Sequence, residues 1–110
     1  MKFVRILEYK VEITEFAEHQ LKQILVYILF KFKNPDAVRS IRNDVEVTKN
    51  KLKYLPHRMK LCDEPELNSR GYRVILFQKH DYLMLYRVDG NMVYVDGIYH
   101  QLQNYQNLFK

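Results

Sequence analysis

Several features that commit a chain to a chemistry on their own are missing from this sequence. It has one cysteine, Cys62, in 110 residues, which excludes an internal disulfide and, without a second thiol, a zinc finger. An isolated thiol of this kind reads as an inert surface or half-buried group. The four histidines, at 19, 57, 80 and 100, have no ligand spacing, so neither a metal nor an organic cofactor is expected. Long apolar runs are also absent. The longest, ILVYILF at 24–30, stops at Lys31, well short of the roughly 18 residues that span a bilayer. Arg5, Glu8 and Lys10 near the start leave no apolar stretch for a signal peptide, and a cytoplasmic address is the expectation. No repeat, low-complexity tract or linker interrupts the chain, so a single domain over 1–110 is expected.

What is present is a chain able to fold. Apolar residues make up 47% and aromatics 14%, too much for a disordered segment. Eighteen Lys and Arg against 13 Asp and Glu give a net charge of +5, which favours polyanionic partners such as nucleic acid or an acidic protein. The charge is unevenly placed: Lys49, Lys51, Lys53, His57, Arg58 and Lys60 follow one another with no acid between them, and Asp63, Glu64 and Glu66 come directly after.

Periodicity supplies the elements. Within residues 3–13, Tyr9, Val11 and Ile13 alternate with Glu8, Lys10 and Glu12, which predicts an amphipathic strand. Thr14 is placed to cap a helix in which Ala17, Leu21, Ile24 and Ile28 recur at helical spacing, ending near Lys33. Asn34-Pro35-Asp36 restarts a helix, since Asn caps free N–H groups, Pro suits the first helical position and Asp complements the dipole. Val38, Ile41, Val45, Thr48, Leu52 and Leu55 carry it to Pro56, completing a helical hairpin. Residues 57–70 read as a loop. YRVILFQ, YLMLYRV and MVYVDGIY then read as a three-stranded antiparallel meander, with Asp89-Gly90 as a two-residue turn and Lys79-His80-Asp81 as the other connection. Both faces of the middle strand are rich in Leu, Met and Tyr, so each needs cover: helices on one side, a partner or the chain's own tail on the other. The order β-α-α-β-β-β gives an α+β fold, a two-helix hairpin on an antiparallel sheet.

This order, with A-x-x-x-L-x-x-I at 17–24, NPDA at 34–37, L-x-x-L-P at 52–56, GYRV at 71–74, YLMLYRVDGNMVYV at 82–95 and I-x-H at 98–100, resembles the RelE/ParE superfamily of bacterial type II toxins. The likeness runs from YKVEIT at 9–14 to HQLQNYQNL at 100–108. It implies a toxin neutralised by a cognate antitoxin, with an acidic or amphipathic antitoxin segment laid over the basic surface. RelE-like members cut messenger RNA on the ribosome, whereas ParE-like members inhibit DNA gyrase and are not known as nucleases.

Metal-independent RNA cleavage needs a base for the 2′-OH, a cation for the phosphorane and an acid for the leaving oxygen. The resemblance puts His100 at the end of the last strand as acid or base and Arg73 in GYRV as the phosphate-stabilising cation, and the tail Tyr105 is a candidate for stacking on a base or donating a proton. The resemblance also makes Lys51, Lys53, Arg58, Lys60 and Arg87 candidate RNA or phosphate contacts. The leading expectation is a RelE-like mRNA interferase, with gyrase inhibition as the alternative. Members commonly carry His-x-Arg-Arg-Asp at the terminal motif, while this chain has His100-Gln101-Leu102-Gln103-Asn104, without the two cations. With Asp89-Gly90 as the turn, Arg87 faces Met92, and His100 lies about 26 Å farther along. Whether Arg73 and His100 share a face depends on the register of the 79–81 turn.

Overall fold

The computed structural model describes residues 7–107, omitting the side chain of Asn107. The part of the predicted first strand over 3–6, and the family likeness beyond 107, lie outside these residues. The elements are β1 (Lys10–Ile13), α1 (Glu15–Phe32), α2 (Pro35–Tyr54), a short α3 (Pro65–Ser69), β2 (Tyr72–Leu76), β3 (Tyr82–Asp89), β4 (Met92–His100) and a 3-10 turn at Tyr105–Asn107. The expected α+β order is present, with α3 as an addition inside the stretch read as loop. Five residues are too few for a helical period to show, but Glu64 caps it by accepting from the Leu67 N–H at 2.8 Å, and Pro65 opens it.

The sheet order is β1-β4-β3-β2. The three C-terminal strands form the predicted antiparallel meander, but β1 joins β4 in parallel, pairing Val11 with Val93 and Ile13 with Val95. The sheet is therefore mixed, because the helical hairpin carries the chain back before the meander begins. The last turn is also corrected: Asp89 pairs with Met92, so the two loop residues are Gly90-Asn91. Gly90 has φ +59°, and a glycine with positive φ at the first central position matches the twist of a tight hairpin. Between Leu85 and Tyr86 the register slips, leaving Asp96 as the extra residue of a bulge.

Local chemistry explains the helix ends. Thr14 Oγ1 accepts from the Ala17 N–H at 3.4 Å and donates to the Val95 carbonyl at 3.1 Å, capping α1 and tying it to β4. Lys33 ends α1 in the left-handed conformation, and Asn34 Oδ1 caps α2 through the Asp36 N–H at 2.9 Å. Thr14→Ala removes both a cap and a tertiary hydrogen bond, and we expect it to lower stability by about 1–2 kcal/mol in urea titration.

Two cores sandwich the sheet. On the helix side Ala17, Leu25, Ile28, Ile41, Val45 and Leu52 meet Ile75, Met84, Tyr86, Val93, Val95 and Ile98. On the other side Leu67 from α3 packs with Tyr72, Leu83, Leu85 and Tyr99, and Tyr105 from the tail lies against them. The chain's own loop and tail thus provide the cover that the apolar second face of β3 required.

Candidate functional site

His100 closes β4, where it pairs with Tyr82 and sets its ring edge-on to that phenol at 5.2 Å. Its Nδ1 accepts from the Leu102 N–H at 3.1 Å and its backbone N–H donates to Gln103 Oε1 at 2.7 Å. The ring stands on an open pocket with Gln20, Gln23, Tyr27, Tyr82 and Gln103. Among the described residues that line it there is neither Lys nor Arg.

Arg73 shares the helix-facing side of the sheet with His100, since Arg73 pairs with Tyr86 and Tyr82, on that same face, pairs with His100. The two are nevertheless far apart. Arg73 is level with Tyr86, four residues from Tyr82 along β3, and two strands away from β4, which places them about 16 Å apart. Its Nη1 donates to the carbonyl oxygens of Met59 and His57, so the guanidinium buttresses the loop that follows α2.

Tyr105 lies on the opposite side of the sheet, its ring 6.1 Å from that of Tyr99. Burial is the main reason its phenol is held above the ordinary value, with Cys62 adding to it. Arg58 and Lys60 line a pocket with Tyr105, Cys62 and Val74. That pocket also contains Asp63 and Glu64, and Lys60 pairs with Asp63 at 3.2 Å. The Cys62 thiol is pushed up by burial and by Asp63, which fits an unreactive group.

The remaining cations are dispersed. Lys53 reaches Glu8 at 3.8 Å and sits over the Tyr54 ring at 5.5 Å, while Lys51 is exposed on α2. Arg87 pairs with Tyr94, not Met92, which shortens its separation from His100 to about 20 Å and still forbids a shared phosphate. Its Nε donates to Asp96 at 2.9 Å and its guanidinium lies 4.5 Å from the Tyr94 ring centroid. Tyr72 donates to the same carboxylate at 2.7 Å, and burial together with that bond pushes its phenol up to about 12. The bulge at Asp96 turns the carboxylate toward this cluster, so Arg87 is engaged by a carboxylate of its own chain.

The sequence reading missed a network centred on Asp44. This carboxylate, only 3% exposed, accepts from the N–H groups of Gln78 at 3.1 Å and Lys79 at 2.9 Å and from His80 Nδ1 at 2.6 Å. His80 Nε2 in turn lies 3.3 Å from Ser40 Oγ. A signal existed: Asp44 interrupts the stripe Ile41, Val45, Thr48 with an acid, and an acid there must find partners. Its partners come from 34 to 36 residues away, beyond any local pattern.

The arrangement thus puts His100, Arg73 and Tyr105 in three separate surroundings on two faces of the sheet, while Arg58 and Lys60 join Tyr105. Comparison with known proteins gives this geometry a family. Residues 11–105 match the model of the ParE toxin of the type II toxin–antitoxin system parDE. Among solved structures, a chain of the chromosomal ParDE system from P. aeruginosa superposes with a TM-score of 0.69 at 17% identity, covering 84% of this chain and 96% of that one. A chain of the toxin–antitoxin complex RelBE2 from Mycobacterium tuberculosis gives 0.58 at 23% identity, covering 84% and 98%. No curated protein matches the sequence. With a family match spanning nearly all the described residues and a fold to agree with it, the chain belongs to the ParE toxin family, within the RelE/ParE superfamily of type II toxins.

Proposed function

We propose that this toxin arrests growth by binding a protein target without catalysis, that the target is DNA gyrase as the ParE likeness implies, and that a cognate antitoxin neutralises it in the cytoplasm. The observation that carries this reading is the separation of the three catalytic candidates. A base, a cation and an acid act on one phosphodiester only if all reach it together, within hydrogen-bond distance. Here His100 stands in a pocket without Lys or Arg among its described lining residues, and Arg73 is about 16 Å away along the sheet backbone with its Nη1 given to carbonyls. The missing arginines of the terminal motif point the same way.

The test is supercoiling by purified gyrase with and without the toxin. We expect saturating toxin to suppress supercoiling. His100→Ala and Tyr105→Phe should both keep growth arrest to within about twofold, as neither residue is assigned a chemical step. Unchanged supercoiling, with loss of arrest in folded His100→Ala and ribosome-dependent mRNA cleavage by the parent, would move the assignment to an mRNA interferase with His100 as acid or base. In that case Lys51, Lys53, Arg58 and Lys60 would be the first phosphate contacts to test.

A further inference from the structure

Helix α1 is apolar on both sides, and only one is covered. Ala17, Leu25 and Ile28 turn into the core, yet Phe16 is 55%, Val26 48%, Tyr27 56% and Phe30 75% exposed. A helix with apolar residues all round is ordinarily covered all round. The outward residues also have a pattern. Phe16, His19, Gln23, Val26 and Phe30 are all exposed and follow at steps of three, four, three and four, the seam spacing of a coiled coil. By helical geometry this seam runs along the side opposite the buried stripe.

Charge says what fits the seam. The first turn carries Glu15 and Glu18, while the end of the helix carries Lys31 and, at its cap, Lys33. A second α1 laid antiparallel brings Glu15 of each copy beside Lys33 of the other. The same alignment sets His19 against Phe30 and Gln23 against Val26 about a two-fold axis between Gln23 and Val26. A parallel alignment would set Glu15 against Glu15 and Lys33 against Lys33. We propose that this exposed seam is a self-association surface on which α1 of a second copy of the chain docks antiparallel. Covering the exposed parts of these aromatics and Val26 in both copies removes on the order of 800–1,000 Å² from water. That is below the roughly 1,200–2,000 Å² of stable specific interfaces and belongs to the weak, transient class, so reversible association is expected. The inference is independent of which target the toxin attacks.

Sedimentation of the full chain over about 1–300 µM should show a monomer–dimer equilibrium. Phe30→Glu, at an exposed position that leaves the fold intact by circular dichroism, should weaken it at least tenfold. Orientation is read with Glu15→Cys and Lys33→Cys chains, each also Cys62→Ser. Oxidation of their mixture should yield the mixed disulfide in preference to either symmetric one. A monomer throughout that range, a dimer unaffected by Phe30→Glu, or dominance of the Glu15→Cys self-disulfide would each overturn the proposal. So would a Val26→Cys probe that reacts freely with maleimide at every concentration of the isolated chain and is shielded only by purified antitoxin, which would assign the face to the antitoxin.

Discussion

Asp44→Ala is expected to lower the unfolding free energy by about 2–4 kcal/mol, because it leaves two backbone N–H groups and an imidazole N–H without their acceptor. The carboxylate holds the β2–β3 turn onto α2 through Gln78, Lys79 and His80. Although burial alone would raise its pKa, the bonds from His80 and from the Lys79 and Gln78 N–H groups bring it below the ordinary carboxyl value. A depressed carboxyl contributes stability that is fully present above the unfolded value, near 3.9, and is lost as pH falls through the lower folded value. Urea titrations between pH 7 and pH 2 should therefore show a steeper acid decline in the parent than in Asp44→Asn. Equal slopes would mean that the carboxyl binds protons alike in the folded and unfolded chains, so that folding does not depress its pKa.

Tyr86→Ala is the second large effect, about 3–5 kcal/mol from loss of a fully buried aromatic. Tyr86 is 0% exposed at the centre of the sheet, and its hydroxyl donates to the Pro56 carbonyl at 2.6 Å. Tyr86→Phe isolates the second contribution, at about 1–2 kcal/mol, since the ring stays and one buried acceptor loses its donor. Against a typical reserve of about 5–15 kcal/mol, the alanine variant should lose growth arrest in cells through reduced abundance. Restoring arrest at lower temperature, as the folded fraction recovers, would separate this from a lesion in target binding. The position ties the core to Pro56, where the loop after α2 begins, and Arg73 supports that loop at His57 and Met59 from the neighbouring strand.

Local pattern carried most of the fold. Thr14, Asn34 and Pro35 announce the helix ends by their own hydrogen-bonding chemistry, and the alternation in β2 to β4 sets which residues face the helices. The parallel seat of β1 was not legible, because Val11 alternates identically beside either edge of the sheet and only the helical crossover decides. The turn shifted by one residue because Asp89-Gly90 and Gly90-Asn91 are both acceptable hairpin pairs, and the positive φ of Gly90 is a property of the folded backbone. Of the candidate site, residue types could be read but not their company. Arg73 looks like a phosphate ligand in GYRV, yet carbonyls from the loop after α2 reach it first. Arg87 in YRVDG reads as a phosphate contact, yet Asp96, the extra residue of the bulge, supplies it with a carboxylate from its own chain.

The seating of β1 beside β4 also bears on how the toxin is made. Residues 10–13 find their hydrogen-bonding neighbours at 92–95, and Thr14 is bound to the Val95 carbonyl 81 positions later. Contacts that span so much of a chain form late, after the entropy of closing the intervening loop has been met. A ribosome that has not yet translated Val95 therefore holds a nascent chain whose first strand has no neighbour and whose helical hairpin lacks half its bed. Completion of the fold is thereby deferred until synthesis is almost finished.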